Sequence, residues 1–406
     1  MKSVLYIWEL GANLGHVGSF LPTLKRFQGD GIHVTAAAGR LFDAAPLLNS
    51  AGVFCAQAPF FPDPLRNSAH QRPDSFANIM LACGFGSPQT LRIMVDNWTW
   101  LMKAQNPDLV LIDYGPTALV GARVLGLPVA HYSTGFYVPP PGHPLPSLDP
   151  SRRVPEAVLK QASDQVLHSV NAVLEAFHRP PVEEIGDLYR DVALPGLFTL
   201  REVDHFGPRE AHYWGPMTDG EISNAVEPIW PQGRGKRVYA YLRQGVASAR
   251  PVLDALYRNG CPTLVFAPDF PDQWYQHLSR YPNIRISKRP YNLRQVLATA
   301  DRGICYGSHA VTLAFALAGK PVLVCPIYLE QRLLGEKLQE AGIGILLPSN
   351  TSPGDTAKTL DEILATFIGD AELERGAQAF AARHLDASQA QVLDRFFSGL
   401  RPFLQP

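Results

Sequence analysis

Short apolar runs alternate with stretches of helical spacing along most of the chain, and this alternation sets the fold class. In the first half, residues 4–8 read as a buried strand, followed by a glycine-rich turn and a helical pattern over 17–27. Residues 32–37, 53–57, 109–113 and 128–133 repeat the strand pattern, and a long helical stretch runs through Trp98 and Met102. Residues 59–87 are aromatic and rich in proline and glycine, which reads as an insertion loop, and 137–150 are again proline-rich. A second series starts at 237–242, with strands at 262–266, 284–287, 303–306 and 322–325 between helical runs and a helical tail over 355–406. Strands alternating with helices predict parallel sheets built from β-α-β units. The expected architecture is α/β, with two Rossmann-like doubly wound domains facing a central cleft. Residues 1–214 form the first domain, 215–236 the linker and 237–385 the second domain, with a C-terminal helix in 386–406 packing back toward the first. Ligands of such sheets bind outside the strand C-termini.

At 406 residues the chain is too long for one ordinary core, which agrees with two domains. A net charge of -1 offers no long-range field for nucleic acid or an anionic membrane, so phosphate recognition must be local and no nucleic-acid partner is expected. No run approaches the roughly 20 apolar residues of a membrane span, so integral membrane association is not expected. The five cysteines are odd in number and scattered, which favours buried thiols and a cytoplasmic location.

Four strand-to-helix junctions carry candidate chemistry. After the first strand, Gly15-His16 opens a helix, where a neutral imidazole can take a proton from a substrate hydroxyl or, alternatively, merely cap or pack. Asp113 ends the fourth strand, where it can orient the far nitrogen of His16 or, alternatively, cap the helix starting near Thr117. Cys305-Tyr306-Gly307-Ser308-His309 precedes a helix whose first amides and dipole favour a diphosphate; the alternative is a tight turn. Glu330-Gln331 offers an acceptor and a donor for sugar hydroxyls, or a helix start favoured by the macrodipole.

In their order and context these segments resemble the GT-B glycosyltransferases of the UDP-glycosyltransferase type and, more distantly, the lipid II N-acetylglucosaminyltransferase. The resemblance runs over most of the chain. It rests on Gly15-His16, on Asn106-Pro107-Asp108-Leu109-Val110-Leu111-Ile112-Asp113 with Gly126-Leu127-Pro128, on Gly215-Pro216, and on the stretch from Ala300-Asp301 to Gly344. That stretch holds Gly307, Ala318-Gly319-Lys320-Pro321, Pro326, Glu330-Gln331 and Gly342-Ile343-Gly344. It departs from the family pattern at Tyr306, Ser308, Val311, Ala314 and Leu334, and Arg243-Gln244-Gly245 replaces a Gly-Ser after the second domain's first strand.

The resemblance implies an inverting, metal-independent transfer of a sugar from a nucleotide-diphosphate sugar, UDP- or dTDP-linked, to a hydroxyl of a small-molecule or lipid-like acceptor. The donor is a co-substrate, with UDP-glucose and dTDP-sugars the leading candidates, and no further cofactor or metal is implied. His16 becomes the general base and Asp113 its partner. The donor falls to Gly307, Ser308 and His309 with Arg243 at the diphosphate, Pro290 and Leu293 near the base, and Glu330 and Gln331 at the sugar. The acceptor falls to Phe60, Phe85 and Phe136, with Phe61, Phe76, Tyr137 and Val138 nearby, although such rings serve equally as core. Two other readings remain open: a GT-B epimerase or hydrolase of UDP-sugars, and a non-catalytic nucleotide-sugar-binding protein.

Overall fold

The computed structural model describes residues 1–11, 14–61, 73–218, 225–348 and 356–404. Ala12 and Asn13 of the first glycine-rich turn, 62–72 of the insertion, 219–224 of the linker, 349–355 and the C-terminal 405–406 lie outside the described residues. The chain divides into two compact units, one of Met1–Gly215 with Val392–Pro406 and one of Pro216–Gln391.

The first unit runs β1 (Ser3–Trp8), α1 (Gly15–Gly29), β2 (His33–Ala38), α2 (Leu41–Ser50), β3 (Cys55–Gln57), α3 (Phe76–Met80), α4 (Pro88–Gln105), β4 (Leu109–Asp113), α5 (Pro116–Leu125), β5 (Val129–His131), α6 (Glu156–Ala176) and α7 (Gly186–Arg190). Its five strands are parallel in the order β3-β2-β1-β4-β5. The winding reverses between β1 and β4, both buried on two faces as the unbroken runs Val-Leu-Tyr-Ile-Trp and Leu-Val-Leu-Ile require.

The second unit runs β6 (Val238–Tyr241), α8 (Ala249–Asn259), β7 (Thr263–Phe266), α9 (Asp272–Leu278), β8 (Ile284–Ser287), α10 (Leu293–Thr299), β9 (Arg302–Cys305), α11 (His309–Leu317), β10 (Val322–Val324), α12 (Leu329–Glu340), β11 (Gly344–Leu346), α13 (Thr356–Gly369) and α14 (Ala371–Arg383). The order β11-β10-β9-β6-β7-β8 is again parallel, with its reversal between β9 and β6. The last helix, α15 (Gln389–Leu404), ends in the first unit, where Phe396 meets Phe198 and Trp214 and Phe397 meets Phe27. Both sheets are doubly wound α/β layers, as the alternation along the sequence predicts.

Three stretches differ from the sequence reading. The described part of 59–87 is not all loop: it holds α3 and a π turn, Leu81–Phe85. A reciprocal cap starts α3, Ser75 N donating to Asn78 Oδ1 at 2.9 Å, and Phe76 and Phe85 are fully buried behind it. Five helical residues are too few to show a period. The long α6 goes unread because two of its buried positions are Ser163 and Ser169, which break the apolar stripe. β11 spans three residues beside the Gly342–Gly344 turn and gives no strand signal of its own.

Candidate active site

In the first unit the two strands flanking the reversal end level with each other, Trp8 lying in register with Asp113. The turns after β1 and β4 therefore emerge side by side. The β1 turn leads into α1 with His16 as its second residue, and β4 ends on Asp113, which is 3% exposed. Nδ1 of His16 lies 2.9 Å from Oδ2 of Asp113. A carboxylate can only accept, so in the neutral ring the imidazole proton sits on Nδ1 and Nε2 carries the lone pair. The same Oδ2 accepts from the Tyr6 hydroxyl at 2.9 Å, and Oδ1 faces the Ser133 hydroxyl at 3.4 Å. Burial first, then the charge of Asp113, holds the Tyr6 phenol pKa well above its usual value, so Tyr6 stays a donor.

The spacing that makes this work is local. His16 and Phe20, four apart on α1, share a helix face; Trp8 and Tyr6, two apart on β1, share a strand face. His16 stacks on Trp8 with ring centroids 5.4 Å apart, and Phe20 stacks on Tyr6 at 3.9 Å. Gly11 adopts φ +106, and a Cβ there would stand 3.2 Å from His16 Nε2 and 3.3 Å from Trp8 Nε1. Any side chain at Gly11 would crowd the lone-pair nitrogen, which gives that glycine a reason beyond its dihedral.

The alternative role for Asp113, capping the next helix, is filled by another residue. Glu9, 8% exposed, reaches the start of α5: Thr117 N and Ala118 N each donate to Oε2 at 3.1 Å, and the Thr117 hydroxyl donates to Oε1. Glu9 directly follows the first strand, and nothing in its spacing signals a cap more than a hundred residues away. Desolvation pushes its pKa from 4.5 up to about 7, against the three donors that favour the anion. A folded-state value above the unfolded one means that this stabilising contribution is full below pH 4.5 and is lost as pH rises through about 7. Glutamine reproduces the protonated acid, its oxygen accepting from both amides and its NH2 donating to Thr117. Glu9→Gln should therefore leave stability nearly unchanged at pH 4.5 and raise it relative to the parent by about 3 kcal/mol at pH 8. Urea unfolding of both proteins at the two pH values measures this, and a difference that does not change with pH would show that Glu9 binds its proton no more tightly folded than unfolded.

The rings expected around the acceptor divide. Phe60 is 66% exposed and Phe136 is half-buried against His205, whereas Phe85 and Phe76 have no exposed surface and belong to the core. Trp8 and Tyr137 are rings in contact with His16, the latter at 5.3 Å and itself stacked on Tyr114 at 4.1 Å.

In the second unit, Tyr241 of β6 lies in register with Cys305 of β9, so Arg243 and the 306–309 turn leave the sheet together at its reversal. Ser308 is the N-cap of α11, its side chain makes no capping bond, and His309 is the first helical residue. Desolvation pushes the His309 pKa down to about 4, so the ring is neutral near pH 7. Gly307 adopts φ +90, and a Cβ there would lie 2.6 Å from Cβ of Gln331, so this turn packs directly on the start of α12. The first turn of α11, from His309 on, follows directly, and its amides have no intrahelical partner.

Gln331 is 6% exposed, and its Oε1 accepts from Ile327 N at 2.8 Å and Tyr328 N at 3.1 Å. That oxygen belongs to the turn, leaving half-buried Glu330 as the carboxylate beside it. Arg243 donates from Nε to Asp269 Oδ2 at 2.8 Å, and Gln244 N donates to Oδ1 at 3.0 Å. Sequence reasoning had no means to find Asp269, which comes from the β7–α9 connection. Pro290 accepts from Val226 N at 2.7 Å, and Leu293 starts α10 at the end of that loop, beyond the edge strand β8. Tyr306 is 6% exposed, edge-on to Tyr241, and Ala314 is 4% exposed, so neither departure leaves a polar group at the surface of the turn.

No protein-family model and no curated protein sequence matches the chain. Among solved structures it is similar to spinosyn rhamnosyltransferase SpnG complexed with thymidine diphosphate, with 18% identity and a TM-score of 0.68 over 98% of this chain and 100% of that one. It is similar to the glycosyltransferase SnogD from Streptomyces nogalater, with 18% identity and a TM-score of 0.62 over 98% and 99%. It is also similar to glycosyltransferase VinC in complex with DTDP, with 14% identity and a TM-score of 0.64 over the whole of both chains. Strand order, level strand ends and these likenesses agree: the chain has the fold of the GT-B glycosyltransferases.

Proposed function

We propose that this protein transfers a sugar from a nucleotide-diphosphate sugar to a hydroxyl of a small-molecule acceptor, with inversion at the anomeric carbon. The observation that carries the reading is the 2.9 Å contact between His16 Nδ1 and Asp113 Oδ2 at the β1/β4 reversal. Nε2 of His16 takes the acceptor's hydroxyl proton as that oxygen attacks the anomeric carbon. The bond from that carbon to the diphosphate oxygen breaks, and its electron pair leaves with the nucleoside diphosphate. One displacement inverts the centre. Asp113 accepts from Nδ1 throughout and stabilises the imidazolium that forms. The leaving diphosphate is assigned to the first turn of α11 and Arg243, fixed dipoles and charge that stabilise it without a metal ion.

The donor nucleotide follows from Ala314. A carboxylate there would accept from the ribose hydroxyls and sense the 2′-OH; a buried methyl group cannot. Thymidine diphosphate is the nucleotide in the SpnG and VinC structures, which supports dTDP-sugars beside UDP-sugars as donors. One missing neutral hydrogen bond is worth about 0.5–1.5 kcal/mol, so UDP and dTDP should bind within roughly tenfold of each other by calorimetry. A UDP preference above roughly a hundredfold, well beyond one such bond, would place ribose recognition elsewhere.

The activity itself is tested by mass spectrometry of the protein with UDP-glucose or dTDP-glucose, excess chelator and a panel of hydroxylated small molecules. The expected result is an acceptor that gains a hexose mass as free nucleoside diphosphate appears. Donor consumed to free sugar in every mixture would instead identify a hydrolase, and donor left intact a non-catalytic binder.

A further inference from the structure

Two aromatic side chains lie against the imidazole of His16. Trp8 stacks on it at 5.4 Å with planes 21° apart, and Tyr137 lies against it at 5.3 Å with planes 49° apart. Neither ring is loose filler. Trp8 closes a buried strand and is 1% exposed, yet its indole Nε1 has no hydrogen-bond partner among the described residues. A buried, unpaired N–H is a cost that phenylalanine would avoid, so a tryptophan here points to a use for its face.

Tyr137 sits on a short turn, Gly135–Tyr137, that is fixed from below. Arg209 donates to the carbonyls of Val138 at 2.8 Å and Gly135 at 3.2 Å, and is itself held by buried Asp204, Nε to Oδ2 at 2.8 Å. Tyr213 donates to the same carboxylate at 2.9 Å. Stacking on Tyr114 at 4.1 Å completes the fixing of the Tyr137 ring.

We propose that Trp8 and Tyr137 are positioning residues that hold His16 against their rings and stabilise its imidazolium while it carries the acceptor's proton. The clamp rests on the reading of His16 as the base. A cation over an aromatic face is stabilised by the ring quadrupole, most strongly by indole and more so when shielded from water. Asp113 from β4 supplies the facing charge, with Tyr6 of β1 on the same oxygen; Tyr137 lies against the ring and Tyr114 stacks on Tyr137. The carboxylate fixes the ring's direction through Nδ1, and the two rings restrict its tilt.

The test is an NMR titration of the His16 ring, alongside the pH profile of transfer, in the parent, Tyr137→Phe, Tyr137→Leu and Trp8→Leu. Each leucine variant is expected to lower the His16 pKa by about 0.5–1 and to move the acid limb of the kcat profile down with it. Plateau kcat should fall about three- to tenfold with the acceptor KM little changed, as a weaker base requires. Tyr137→Phe keeps the ring and should keep the His16 pKa near the parent's. If Trp8→Leu fails to fold, the Tyr137 pair decides the matter alone. A His16 pKa within about 0.2 of the parent in Tyr137→Leu would overturn the clamp. The NMR readout does not depend on turnover, so the clamp can stand even if His16→Ala retains transfer and the assignment of the base fails.

Discussion

His16→Ala is expected to lower sugar transfer by about two to four orders of magnitude, the range for losing a positioned general base. Nucleotide affinity should be unchanged, because the residues assigned to the donor all lie in the other unit. Asp113→Asn should act in the same direction but less, by roughly ten- to a hundredfold, for a reason the hydrogen bonds make visible. An asparagine can turn its oxygen toward His16 Nδ1 and Tyr6, keeping the productive tautomer, while its NH2 faces the Ser133 hydroxyl. Only the negative charge behind the imidazolium is then lost. Initial rates with saturating donor measure both variants, with circular dichroism confirming the fold. Near-parental turnover in His16→Ala would remove His16 from the mechanism.

How much of this site can be read from the sequence depends on how far apart its parts are in the chain. Gly15-His16 and the strand ending in Asp113 are legible, because each is a local pattern at a strand-to-helix junction of a βα unit. That the two meet follows from the doubly wound order, which sets β1 beside β4. The residues that make the meeting specific leave no local trace. Glu9 caps a helix 108 residues on, so freeing Asp113 for His16, and it looks in the sequence like the mere end of a strand. Tyr137 falls in a proline-rich stretch whose periodicity says nothing, and its turn is fixed by Arg209, which bonds Val138 from 71 residues on. Phe85 shows the opposite failure. An aromatic between glycines suggests a pocket wall, and the capped turn of α3 before it instead folds the ring into the core.

The second unit repeats the lesson in its charges, and Arg243 is where it can be measured. The position after β6, at the sheet reversal, puts a fixed cation beside the first turn of α11, where a diphosphate would find both charge and amides. Arg243 is not idle without a ligand, since Asp269 holds its Nε at 2.8 Å. Removing the side chain therefore does two things: it deletes a charged donor to phosphate and bares a carboxylate, still held by Gln244 N, in the same place. A charge-assisted hydrogen bond is worth about 1.5–3 kcal/mol, so Arg243→Ala should weaken UDP or dTDP binding roughly ten- to 150-fold. Adding Asp269→Asn to that variant should recover part of the loss by removing the bared anion, whereas Asp269→Asn alone should leave binding equal or tighter. The loss should shrink at high salt, because both charges are partly exposed and screened. Calorimetric titration of the three variants at two ionic strengths separates the terms. A dissociation constant for Arg243→Ala equal to the parent's would show that the guanidinium serves Asp269 alone.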